Sequence, residues 1–164
     1  MDDSEFAGFV AARSGQLYRS AYLLTTSSHA AEDLVQVALA KAYAAWPRVR
    51  TATDPVAYVH GVLIKAFLSE RRRRSSSEVP LAATPDAPVL DADPTERLAL
   101  VAALRELAPL DRAVVVLRFW EDRSVADTAH DLDLTEAAVK NRCLRALRQL
   151  RGLLTDTTFP GSIR

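Results

Sequence analysis

The sequence predicts an all-α protein. Three observations carry that expectation: apolar residues recur at spacings of three and four along most of the chain, period-two alternation is nearly absent, and only five glycines interrupt an alanine-rich sequence. Hydrophobic residues fill 49% of the 164 positions, enough for a core and too many for a chain that stays unfolded.

The elements follow in order. Residues 4–24 form an amphipathic helix with Phe6, Phe9, Val10, Leu17 and Ala21 on one side. Ser27 and Ser28 are good caps for a second helix, 29–46, with Glu32 and Asp33 in its first turn, where the dipole favours acids. Its apolar stripe is Ala31, Leu34, Val35, Ala38, Ala42 and Ala45, which leaves Glu32, Asp33 and Gln36 outside. Asp54-Pro55 starts a third helix, 55–73, because proline's fixed φ suits the first helical position. That helix runs into four arginines at 71–74.

The stretch from 75 to 93 differs in kind. Three serines, Pro80, Pro85 and Pro88, and acids without a base read as a linker. Asp93-Pro94-Thr95-Glu96 restarts structure as a capping box. Helices are expected at 94–107, 109–121, 124–132 and 136–153, with Val114-Val115-Val116 helical rather than a strand. The organisation is two small helical domains, 1–74 and 94–155, a linker at 75–93 and a tail at 156–164.

Twenty-one basic and 21 acidic residues give no net charge, which speaks against nucleic acid until they are counted by segment. Residues 47–75 hold Arg48, Arg50, Lys65 and the arginines at 71–74 against Asp54 and Glu70, a net +5. Residues 137–151 hold Lys140, Arg142, Arg145, Arg148 and Arg151 and no acid, again +5. The segment 76–95 is −4, and 121–136 is also acidic. Neutrality is the sum of separated blocks.

The second basic block lies on a helix-turn-helix pattern. Val125, Ala129 and Leu132 make one face of a short helix, Asp133-Leu134-Thr135 the turn, and Val139, Cys143, Ala146, Leu147 and Leu150 the core side of the next helix. Leu134 is expected to plug the space between the helices, and Thr135 to cap the second. A recognition helix inserts its N-terminal turns into the major groove. Small Ala137 and Ala138 allow close approach; Lys140 and Asn141 reach bases or phosphates, and Arg145 and Arg148 suit phosphates. In the first block, Tyr58 with Lys65 and the arginines gives a basic, aromatic surface suited to single-stranded DNA, whereas Phe67 reads as core. Trp46 and Trp120 read as packing or interface residues, and Cys143 as a small buried apolar residue.

Other classes are excluded. One cysteine forms no disulfide framework, and His29, His60 and His130 lack ligand spacing, so neither metal nor cofactor is expected. There is no nucleophile–base set or Gly-rich phosphate loop, hence no enzyme and no small-molecule substrate. No apolar run approaches the roughly 18 residues of a membrane span, and the acidic N-terminus is wrong for a signal peptide. A cytoplasmic protein is expected.

The order of motifs resembles the bacterial sigma-70 family of RNA polymerase sigma factors, in its extracytoplasmic-function group and near the actinobacterial SigE-like subgroup. The carrying residues are Ala31-Glu32-Asp33-Leu34-Val35-Gln36, Asp54-Pro55-Val56-Ala57-Tyr58-Val59, Phe67-Leu68-Ser69 and the arginine run. Further on they are Leu107-Ala108-Pro109-Leu110-Asp111-Arg112-Ala113-Val114, Leu117-Arg118-Phe119-Trp120, Ser124-Val125-Ala126, Val139-Lys140-Asn141-Arg142 and Arg145-Ala146-Leu147. The resemblance implies a first domain of region 2 type, which binds the β′ clamp helices of RNA polymerase core through Glu32, Asp33 and Gln36. It implies minus-10 contacts from Tyr58, His60, Lys65, Arg71, Arg72 and Arg73. It implies a second domain of region 4 type, meeting the β flap and reading the minus-35 element with Thr135, Glu136, Ala137, Ala138, Lys140, Asn141, Arg142, Arg145 and Arg148. Many such factors are held by an anti-sigma partner. The chain departs from the family's usual residues at Val37, His60, Gly61, Lys65, Glu70 and Asp133. Two rival readings stay open here. One is a stand-alone helix-turn-helix regulator, which would bind a palindromic site without polymerase. The other is a non-initiating interaction module for polymerase or an anti-sigma protein.

Overall fold

A computed structural model of the chain describes residues 3–77 and 93–156; the expected tail beyond 156 and the linker between 78 and 92 lie outside the described residues. The chain divides into two units, residues 1–88 and 89–164.

The first unit is built from α1 (Asp3–Thr25), α2 (Ser28–Ala44), α3 (Trp46–Arg50) and α4 (Pro55–Ser77). α2 packs on both α1 and α4. Its apolar stripe is mostly alanine; Ala31, Ala38 and Ala42 are fully buried, as are Leu17 and Leu24 of α1 and Leu63 and Ile64 of α4. Phe6 and Phe9 from α1 meet the buried Trp46 ring at 5.2 and 5.5 Å, and Phe6 stacks edge-on to Tyr43 at 5.0 Å.

The α1–α2 junction is tight. Thr26 takes a positive φ of 57°, rare for a β-branched residue. Ser27 then caps α2, its Oγ accepting from the Ala30 N–H at 3.3 Å. Because α2 begins at Ser28, Glu32 and Asp33 stand in its second turn, not the first, and gain little from the dipole. The single helix expected over 29–46 is in fact two. Pro47 has no N–H to continue the ladder, so α2 closes at Ala44 and the chain restarts as the short α3. Asp54 Oδ1 accepts from the Ala57 N–H at 3.1 Å to start α4. α4 runs on through serines 75–77, which composition places in the linker, since an established helix extends more readily than it nucleates.

The second unit contains α5 (Pro94–Glu106), α6 (Pro109–Val115), α7 (Val125–Leu132) and α8 (Glu136–Asp156), and α8 packs against the other three. Asp93 caps α5 by accepting from the Thr95 N–H at 3.0 Å. The end of α5 is closed by a buried guanidinium. Arg112, 3% exposed, donates from Nε to the Leu104 carbonyl at 2.8 Å, and from Nη2 to those of Leu107 at 3.0 Å and Arg105 at 3.2 Å. It satisfies carbonyls that a helix end leaves orphaned.

The helix expected over 109–121 changes character midway. Val116–Trp120 is a π-helical turn, closed by the Glu121 N–H donating to the Val116 carbonyl at 2.9 Å. Asp122 then turns the chain with φ 55°. Phe119 and Trp120 face solvent, so Trp120 is not a core residue.

Candidate nucleic-acid interface

α7, the turn and α8 form the expected helix-turn-helix. Ser124 caps α7 by accepting from the Asp127 N–H at 3.0 Å. Asp133 sits in the left-handed region at φ 58°, ψ 44°, where Asp is among the better-tolerated residues. Leu134 is half-buried and its N–H donates to the Ala129 carbonyl at 2.9 Å, which fixes the turn. Thr135 Oγ1 accepts from the Ala138 N–H at 3.1 Å and caps α8. Arg123 braces α7 through Asp131 at 2.8 Å.

On α8, steps of 100° per residue bring Ala137, Lys140, Asn141, Leu144, Arg148 and Arg151 onto one stripe, and all six are exposed. Thr135 and Glu136 are exposed at its start, and Ala138 is half-buried. Leu144, 52% exposed, is an apolar residue inside this basic stripe. Arg142 and Arg145 lie off the stripe, toward α6. Both donate to Asp111: Arg142 Nη1 to Oδ1 at 2.8 Å, Arg145 Nη2 to Oδ1 at 3.0 Å and Oδ2 at 3.1 Å. Cys143 is half-buried, and burial pushes its thiol pKa up, which keeps it a neutral packing group.

In the first unit, Tyr58, Lys65 and Arg72 are spaced by seven on α4 and share a face; Tyr58 is half-buried and the two cations are exposed. His60 lies about 200° around the helix from Tyr58 and is only 2% exposed, so it is not presented for DNA. Gly61 beside it is buried as well, and Phe67 is core. The arginine run is divided. Arg71, Arg73 and Arg74 line a cleft of about 480 Å³ between α2 and α4, together with Asp33 and Val37. Glu70 accepts from Arg73 and, at 3.1 Å, from Arg74. These bonds hold the Glu70 carboxyl below its ordinary range, so the pairing persists at neutral pH and fades only as pH falls through that lowered value. Glu70→Gln is therefore expected to strengthen binding to poly(dT) at low salt by a few-fold and to steepen its salt slope by at most about 0.7. Titrations at several salt concentrations check this; an unchanged slope would mean that Glu70 does not mask the run.

Glu32, Asp33 and Gln36 project from α2 beside the exposed Val37, and His29 lies 3.7 Å from the Asp33 carboxylate. Sequence reasoning gave Asp111 no role, although an acid in the first turn of an otherwise largely apolar helix was the available signal. Trp120, read as a packing or interface residue, is exposed, which leaves the interface reading; the exposed Phe119 beside it was given no role.

Residues 9–77 match the family model described as Sigma-70 region 2, and residues 97–150 match Sigma-70, region 4. An RNA polymerase sigma-E factor of Streptomyces coelicolor is 38% identical over 149 residues, 90% of this chain and 84% of that one. The chain belongs to the sigma-70 family. An ECF RNA polymerase sigma factor, SigM of Mycobacterium tuberculosis, is 34% identical over 85% of this chain and 71% of its own length. In fold, the chain is similar to the sigma factor RpoE of Bartonella quintana, solved with the anti-sigma factor NepR: the TM-score is 0.79 at 24% identity, covering 93% of this chain and 98% of that one. The protein is thus a sigma factor of the extracytoplasmic-function type, a subunit that joins RNA polymerase core to promoter DNA and is not an enzyme.

Proposed function

We propose that the two units divide the work of promoter recognition. α8 reads the minus-35 element in the major groove with Lys140 and Asn141 near the bases and Arg148 on phosphate. The α4 face of Tyr58, Lys65 and Arg72 holds the opened minus-10 strand. Glu32, Asp33 and Gln36 on α2 meet the β′ clamp helices, and the second unit meets the β flap. The observation that carries this reading is the acid-free exposed stripe of α8, directly after a capped turn. The relatives' names support the polymerase partner. An anti-sigma partner belongs to the proposal too, supported by the RpoE–NepR complex. We place the protein in the cytoplasm, where promoters and polymerase are; among the described residues no helix is long and apolar enough to cross a membrane.

Run-off transcription tests the reading. Purified core polymerase with the chain should yield discrete transcripts from fragments of the gene's own upstream region, and core alone should not. No transcript from any fragment, together with no binding to core, would overturn it.

A further inference from the structure

We propose that Asp111 is a positioning residue for promoter recognition: it sets how Arg145 is presented and withholds Arg142 from DNA. The proposal rests on the reading of α8 as the minus-35 reader. Asp111 stands in the first turn of α6 with its side chain 5% exposed, and a single carboxylate receives both guanidinium groups. The two arginines differ in exposure, Arg142 at 32% and Arg145 at 62%.

A guanidinium is a rigid fork with five N–H donors. Arg145 bonds Asp111 through Nη2 alone, bridging both oxygens, so Nε and Nη1 keep donors for a phosphate or a base edge. Its plane is fixed from behind, and the rotamer freedom it would otherwise lose on binding is already spent. Arg142 is a strut: nearer the core, it ties α8 to α6 and fixes how far α8 is rotated about its own axis. One carboxylate against two cations also means that the pair presents about one net charge to DNA.

This assignment predicts opposite signs on two probes. Asp111→Asn keeps the volume and loses the charge. A duplex selected from a random pool by the wild-type chain with core polymerase should be bound about tenfold more weakly by the variant holoenzyme. Poly(dI–dC) should be bound more tightly by the full-length variant alone, with a salt slope steeper by about one. A carboxylate with a purely structural role would lower both affinities. Unchanged binding of the selected duplex, or parallel losses without a steeper slope, would overturn the proposal. If Asp111→Asn fails to fold, Arg145→Lys decides. It retains the charge and hence the slope, but a lysine cannot bridge the carboxylate and keep a second fork, so the selected duplex should again lose about tenfold. Wild-type affinity in Arg145→Lys would overturn the proposal. Lys140→Ala and Arg148→Ala are the controls: if neither weakens either probe, the reading of α8 itself falls, and the proposal with it.

Discussion

Arg112→Ala should unfold the second unit and leave the first intact. The guanidinium is buried and donates to three carbonyls at the end of α5. Truncation strips those carbonyls of their partner and opens a void that water fills poorly. An unsatisfied buried polar group costs about 1–3 kcal/mol, and the void adds to that. A total of about 3 kcal/mol or more rivals the whole stability of a small domain, roughly 0.05–0.15 kcal/mol per residue. In calorimetry the transition of the second unit should fall sharply or vanish while that of the first stays in place. Arg112→Lys should be nearly as damaging, because one ammonium on a flexible stem does not reproduce the fork. An unchanged melt in both variants would show that the carbonyls find other partners.

Asp33→Arg combined with Gln36→Ala should cut affinity for RNA polymerase core by about 30-fold or more, the size expected of an interface hot spot. Both side chains are exposed, so the helix has no packing reason to change, and the melting temperature should move little. The new arginine also puts a positive charge beside a cleft already lined by Lys41, Arg71 and Arg73. Fluorescence anisotropy of labelled chain titrated with core gives the number. Wild-type affinity would remove α2 from the polymerase interface.

Much of this fold was legible because alanine stripes, caps and prolines act locally. The Asp93, Ser27, Asp54, Ser124 and Thr135 caps are each readable within four residues and each is present. What escaped reading was not local. α3 is one turn long and continues the apolar pattern of α2, so only Pro47 betrays the break. The π-helical turn inserts a single residue into the largely apolar stretch 113–120, which periodicity does not register, and it leaves Phe119 and Trp120 exposed. His60 was placed among the minus-10 contacts by the family resemblance, although its angle from Tyr58 turns it inward. The Asp111 clamp joins residues 31 and 34 positions apart, and a segment-by-segment charge count is blind to it. Hence the +5 counted on α8 overstates what that helix shows to a phosphate.

Among the described residues, the helices of the first unit all lie before residue 78, and they pack on one another. That has a kinetic meaning during synthesis. A ribosome adding about 5–20 residues per second needs about 4–17 s to go from Ser77 to Arg164, whereas small helical domains fold in microseconds to milliseconds. The first unit can therefore close on its own apolar stripes while the second is still being translated.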